Sequence, residues 1–196
     1  MPSLILVFDF DRTVLDNEGD SAIYEHLGEY QTAMNLVRNE KQQWTKVCDQ
    51  IYSRYNQDQL KEAVEKSFKV HPVMKDLMND IADFQENKNQ SKFFPANVTD
   101  LHLVLCTDSN EFFVRHAFET FFPRTRIDLL HTNPVTWNEK KKETQDEAVA
   151  SSLLHPSIQW CEKDGHDCHR CTGAGLPNMC KGLCVRRLIE KPPHDD

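Results

Sequence analysis

The sequence lacks any apolar run long enough to cross a membrane: its opening run, Leu4-Ile5-Leu6-Val7-Phe8-Asp9-Phe10, is short and broken by an acid. No positively charged segment precedes that run, so it does not read as a secretory signal, and a cytoplasmic location with no membrane partner is the expectation. Basic charge is also scarce. With 23 Lys and Arg against 31 Asp and Glu, the formal charge is −8, which counts against a sequence-independent grip on nucleic acid or anionic lipid. A small anionic substrate would therefore need positive charge placed locally. No segment repeats at a fixed period. Nor do the seven cysteines form an even set, and thiols inside a cell stay reduced, which argues against a disulfide framework. In that compartment the sequons Asn89-Gln90-Ser91 and Asn97-Val98-Thr99 carry no meaning.

What is present begins with that opening run and the Asp11-Arg12-Thr13 that follows it. A β-branched and aromatic run without alternating polar positions reads as a strand covered on both faces, as in a parallel sheet. Side-chain alternation would send Asp9 and Asp11 to one side of an extended backbone, at the carboxyl end where open α/β sheets place ligands. Two acids so placed suit a nucleophile beside a proton donor, although the same acids could simply cap the next turn.

After the polar link Asp16-Asn17-Glu18-Gly19-Asp20, helical patterning runs to about Glu86. Ile23, Leu27, Met34 and Val37 suggest one amphipathic helix, Trp44, Val47, Ile51 and Tyr55 a second, and Leu60, Val64 and Phe68 a third. Such stripes usually mean packing. Pro72 opens a fourth helix carrying Val73, Leu77, Ile81 and Phe84, which ends at Asn87-Lys88-Asn89-Gln90-Ser91. The block is too large for a single crossover connection, so a helical unit over residues 17–91 is expected to be inserted into an α/β core formed by residues 1–16 and 92–196. It could close over the catalytic end and exclude water, or be a subdomain without that role.

A second strand, Leu101-His102-Leu103-Val104-Leu105-Cys106-Thr107, ends in Thr107-Asp108-Ser109-Asn110 before a helix with Phe112, Phe113, Ala117, Phe118 and Phe121. A hydroxyl there, beside the N–H groups of a turn entering a helix, suits a phosphoryl oxygen, while Asp108 or Ser109 would also cap the helix. Ile127-Asp128-Leu129-Leu130-His131-Thr132 could be a third strand, with a turn at Asn133-Pro134 and a solvated surface segment over residues 138–145. Farther on, His166, Cys168, Cys171 and Cys180 are a candidate set of four zinc ligands, but only Cys168 and Cys171 make a paired half-site where the usual pattern has two. Lys181 then stands near the start of an amphipathic helix with Leu183, Val185, Leu188 and Ile189.

Asp9-Phe10-Asp11-Arg12-Thr13, Asp20, Thr107-Asp108-Ser109-Asn110, Thr132-Asn133-Pro134 and the block from His166 through Pro177-Asn178-Met179-Cys180-Lys181 together resemble the phosphoethanolamine/phosphocholine phosphatase family of the haloacid dehalogenase superfamily. Thr107-Asp108-Ser109-Asn110 is somewhat closer to its pyridoxal phosphate phosphatase-like branch. The resemblance implies a Rossmann-like parallel-sheet core with an inserted helical cap, Asp9 as nucleophile, Asp11 as general acid and base, and Thr107 and Lys181 on the phosphoryl group. It also implies Asp20 and Asp108 in substrate selection, and magnesium held by Asp9 and Asp11. The partner would be a small phosphorylated metabolite.

The chain departs from that pattern in two places. Thr172-Gly173-Ala174-Gly175-Leu176 is inserted before Pro177, and after Pro192-Pro193-His194-Asp195-Asp196 the sequence contains no further strand ending in the acidic motif that completes the magnesium site. The core is therefore expected to be incomplete at its C-terminus, the third acidic metal ligand missing, and residues 4–10 set at a sheet edge open to a partner. A phosphate dianion near two carboxylates needs compensation, since each close like-charge pair costs about 4 kcal/mol at an effective dielectric of 20. Three functions follow: a magnesium-dependent phosphomonoesterase, a catalytically impaired relative that binds a phosphorylated ligand or a protein, and a zinc-bearing interaction module.

Overall fold

The computed structural model describes residues 3–87, 91–139, 154–158 and 180–190. Its centre is a mixed α/β arrangement around three parallel strands, β1 (Ser3–Phe8), β2 (Asp100–Asn110) and β3 (Leu129–Asn133), in the order β1-β2-β3. β1 pairs with β2 in strict register from Ser3 opposite Asp100 to Phe8 opposite Leu105. β2 is the buried strand, with Leu103, Val104 and Leu105 fully inaccessible. β1 is only half-buried, and Val7 keeps 38% of its surface. The covering of both faces expected for residues 4–10 is thus found on β2, because β1 lies at the edge of the sheet among the described residues.

Five helices separate β1 from β2: α1 (Gly19–Leu27), α2 (Tyr30–Arg38), α3 (Trp44–Tyr52), α4 (Gln57–Ser67) and α5 (Pro72–Asn87). The sequence pattern suggested one helix through Ile23 and Val37, and the structure breaks it in two. Gly28 takes a left-handed φ of +73°, and the next N–H, from Glu29, donates back to the Tyr24 carbonyl at 2.7 Å, closing α1 as a glycine C-cap does. α4 opens with a reciprocal capping box between Asn56 and Gln59. Pro72 opens α5 as its position suggests.

α6 (Glu111–Phe121) follows β2 directly. Its cap is Asn110, whose side chain accepts the Phe113 N–H at 3.0 Å, and not Asp108 or Ser109, because β2 runs on to Asn110. β4 (Val135–Glu139) and β5 (Leu154–Ile158) form a small antiparallel pair, where the sequence had suggested a turn and a surface segment beginning at 138. α7 (Lys181–Glu190) buries Cys184 and Leu188, whereas Ile189 is 74% exposed and off the packed face. No helix among the described residues is long and apolar enough to cross a membrane.

One continuous core joins the helices to the sheet. Its aromatic spine runs from Phe10 edge-on to Phe68 (5.9 Å), Phe68 to Phe113 (6.4 Å) and Phe113 to Tyr52 (4.9 Å). Each such contact adds about 0.5–1.5 kcal/mol beyond burial. Phe10 is wholly buried, so the residue between Asp9 and Asp11 anchors their loop to the helical block.

Candidate active site

The chain leaves β1 at Phe8 and turns at once. The N–H groups of Thr13, Val14 and Leu15 converge on the Phe10 carbonyl at 3.3, 2.9 and 2.9 Å, and Arg12 adopts a left-handed φ of +53°. For a non-glycine residue that conformation costs about 1–2 kcal/mol. The strand ends at Phe8, so the placing of Asp9 and Asp11 is set by this turn and not by alternation along an extended backbone. Below the turn, Asp16 N–H donates to the Lys69 carbonyl at 2.8 Å, and the Asn17 side chain bridges the Ser67 carbonyl and the Lys69 N–H. These contacts fasten the loop to the end of α4.

Asp9 stands at the carboxyl end of β1 with about a third of its side chain exposed. Its Oδ1 accepts the Phe10 N–H at 2.8 Å, and its Oδ2 accepts Lys181 Nζ at 2.5 Å. Lys181 is the first residue of α7, which packs on β2 through Cys184 against Cys106, one residue before Thr107. The same ammonium lies 3.7 Å from Asp108 Oδ1. Burial alone would lower the Lys181 pKa, but the bond to Asp9 and the charges of Asp108 and Asp9 hold it above the ordinary lysine value. Asp9, Asp108 and Lys181, distant in the sequence, are thus one cluster.

Asp11 feels the charge of Asp108 and is fixed from the helical side. The first N–H of α1, from Gly19, donates to its Oδ1 at 2.6 Å. A Cβ on Gly19 would stand 2.8 Å from that oxygen and 3.1 Å from the Phe68 ring, so only glycine allows the approach. Burial, then the negative charge of Asp20, push Asp11 up to about 7, while the Gly19 N–H works in the opposite sense. Asp20 itself is buried and held by three donors, Tyr52 Oη at 2.7 Å, Trp44 Nε1 at 2.9 Å and Cys48 Sγ at 3.5 Å. Burial raises its pKa, and those three hydrogen bonds oppose the rise.

Thr107 is fully buried, and its Oγ1 accepts the Ser109 N–H at 3.1 Å. The Thr132 hydroxyl donates to the Ser109 carbonyl, and Asn133 Nδ2 donates to the Asp108 carbonyl at 2.6 Å, so the Thr132-Asn133 pair shapes the end of β2. Of the proposed zinc ligands, His166, Cys168 and Cys171 lie outside the described residues, as do Pro177, Asn178, Met179 and the 172–176 insertion. Cys180 is buried, with its Sγ accepting the Leu183 N–H at 3.4 Å. Among the described residues no three His, Cys, Asp or Glu side chains gather as metal ligands. Sequence reasoning missed Gly19, Tyr52 and Cys48. A glycine directly before an acid at a helix start was the available signal for the first, whereas the other two had none.

Comparison with known proteins bears on this arrangement. The chain is 24% identical over 191 residues to the pyridoxal phosphate phosphatase PHOSPHO2 of Bos taurus, covering 95% of this chain and 66% of that protein. It is 21% identical over 198 residues to inorganic pyrophosphatase 2 of Arabidopsis thaliana, covering 95% and 57%. It thus spans about two thirds or less of the length of these relatives. Among solved structures, a phospho-aspartyl intermediate analogue of phosphoserine phosphatase aligns with 81% of this chain and 64% of its own, at 11% identity and a TM-score of 0.45. The family model described as Putative Phosphatase matches residues 4–196, a span that holds Asp9, Asp11, Asp20, Thr107, Asp108 and Lys181, and the chain belongs to that family.

Proposed function

We propose that the chain hydrolyses a small phosphomonoester, of the pyridoxal phosphate, phosphoethanolamine or phosphocholine class, through an aspartyl-phosphate on Asp9. The observation that carries this reading is the 2.5 Å contact of Lys181 with a partly exposed Asp9 at the carboxyl end of β1. An Asp9 oxygen attacks phosphorus and the P–O bond to the leaving group breaks, with Asp11 giving that oxygen its proton. Water then attacks the acyl-phosphate, Asp11 takes the proton, and Asp9 is regenerated with release of phosphate. Lys181 balances the charge of the phosphoryl oxygens. Thr107 fixes the end of β2 beside them.

Hard oxygen donors are the kind magnesium takes, and this ion is commonly held by one or two carboxylates together with water and substrate phosphate. The Asp9 carboxylate and the Asp11 carbonyl fit that pattern and would hold it. When bound, it would supply positive charge against the phosphoryl group. Residues 17–91, which contain helices α1–α5, would act as the cap, fastened to the Asp9 loop through Phe10 and Asn17.

The test is a phosphate-release screen over pyridoxal phosphate, phosphoethanolamine, phosphocholine and pyrophosphate, with and without magnesium, beside Asp9→Asn. Magnesium-dependent release lost in Asp9→Asn is the expected result; full turnover by that variant would end the proposal. A second reading, binding of a phosphorylated ligand or a protein partner without turnover, rests on the half-exposed edge strand β1. It predicts no release with any substrate and no effect of magnesium on melting.

A further inference from the structure

Asp20 falls, by the family resemblance, at a position tied to substrate selection, yet the structure gives its carboxylate other work. Both oxygens are taken up by donors of α3: Oδ1 by the Tyr52 hydroxyl, Oδ2 by the Trp44 indole N–H and the Cys48 thiol. A carboxylate has about four lone-pair sites, so three donors leave little to offer a ligand. The donors are themselves fixed. Tyr24 Oη donates to Cys48 Sγ at 3.0 Å, the Tyr24 ring stacks on Tyr52 at 5.2 Å, and it meets Trp44 edge-on at 5.6 Å. Only 9% of Asp20 is exposed, whereas the Asp108 side chain is 61% exposed beside Lys181.

The residue before Asp20 is Gly19, whose N–H meets Asp11 at 2.6 Å. We infer that Asp20 is a positioning residue for the proposed reaction and not a substrate contact: α3 grips its carboxylate, and the grip keeps the Gly19 N–H on Asp11. This inference rests on the phosphatase reading for its kinetic consequence but not for its structural one. Asp108, exposed beside Lys181, is left as the carboxylate able to meet a cationic leaving group.

Two measurements on the full chain decide it. In magnesium-supplemented turnover of phosphoethanolamine, which carries a cation, and p-nitrophenyl phosphate, which does not, Tyr52→Phe and Asp20→Asn should lower kcat for both substrates alike, by about 10- to 100-fold, the range typical of residues that orient a reacting group. KM should not change. A rise in KM for phosphoethanolamine alone in Asp20→Asn would overturn the inference. Independently of turnover, the Gly19 amide proton in a ¹H–¹⁵N spectrum should lie far downfield and move upfield in Tyr52→Phe, with the rest of the spectrum retained. An amide unmoved in both Tyr52→Phe and Trp44→Phe would also overturn it. If the unmodified chain releases phosphate from no substrate, the phosphatase reading fails, and the Gly19 amide still decides the positioning role.

Discussion

Asp9 and Asp20 are acids of the same kind in opposite circumstances. Asp9 follows a strand that lies at the sheet edge among the described residues, keeps a third of its side chain in solvent and meets the ammonium of Lys181. Asp20 sits one residue into α1, nearly inaccessible and enclosed by an indole, a thiol and a phenol. A lysine on a long stem can let go of a carboxylate when a phosphoryl oxygen arrives, and it carries charge suited to that oxygen. Three donors carried by one packed helix cannot let go without opening the core. The contrast separates a carboxylate available for chemistry from one that holds geometry.

Substitutions should respect that division. The largest effect is expected from Asp9→Asn, with phosphate release falling by on the order of 10⁴-fold or more, as for loss of a nucleophile, and thermal melting nearly unchanged because the side chain is partly solvated. Lys181→Ala should follow, lowering kcat by roughly 10²- to 10³-fold, as when a charge-stabilising donor is removed. Equal activity of Lys181→Ala and the parent chain would remove the lysine from the site. Tyr52→Phe inverts the pattern: besides its kinetic effect, it should cost about 1–3 kcal/mol of stability, since a buried carboxylate loses a donor, measured by urea denaturation. A Tyr52→Phe variant as stable as the parent would show that the enclosure of Asp20 does not hold the block together.

Much of this division could be read from the sequence on one side only. Asp9 and Lys181 belong to motifs, so both could be named from the sequence, and the structure brings them into contact although 172 positions separate them. The enclosure of Asp20 was not. Trp44 falls in an apolar stripe with Val47 and Ile51, and a stripe records which face packs, not that one of its rings turns an N–H toward a buried acid. Cys48 and Tyr52 complete that grip from the same helix with no polar pattern to mark them. The end of α1 is legible in Gly28, but apolar periodicity continues across it and hides the break. The β4–β5 pair was masked although both strands alternate, since Pro156 sits inside β5, opposite Trp137, and the two strands pair across a long stretch of chain.

The smallest expected effect is the dependence of stability on pH that Asp20 contributes. Its folded-state pKa lies above the ordinary 3.8, first through burial, with the charge of Asp108 adding to the rise and Tyr52, Trp44 and Cys48 opposing it. The folded chain therefore binds this proton more readily than the unfolded chain, and the stability so gained is fully present below pH 3.8 and lost as pH rises through the folded value. In Asp20→Asn nothing titrates at that position. Melting temperatures taken at intervals from pH 4 upward should fall less steeply for Asp20→Asn than for the parent, whatever constant offset the lost hydrogen bonds introduce. Parallel slopes would mean that the three donors cancel the burial penalty, and the two carboxylates would then differ in access alone. Asp9→Asn, measured alongside, controls for acids outside the enclosure, because its side chain shares none of the Asp20 donors.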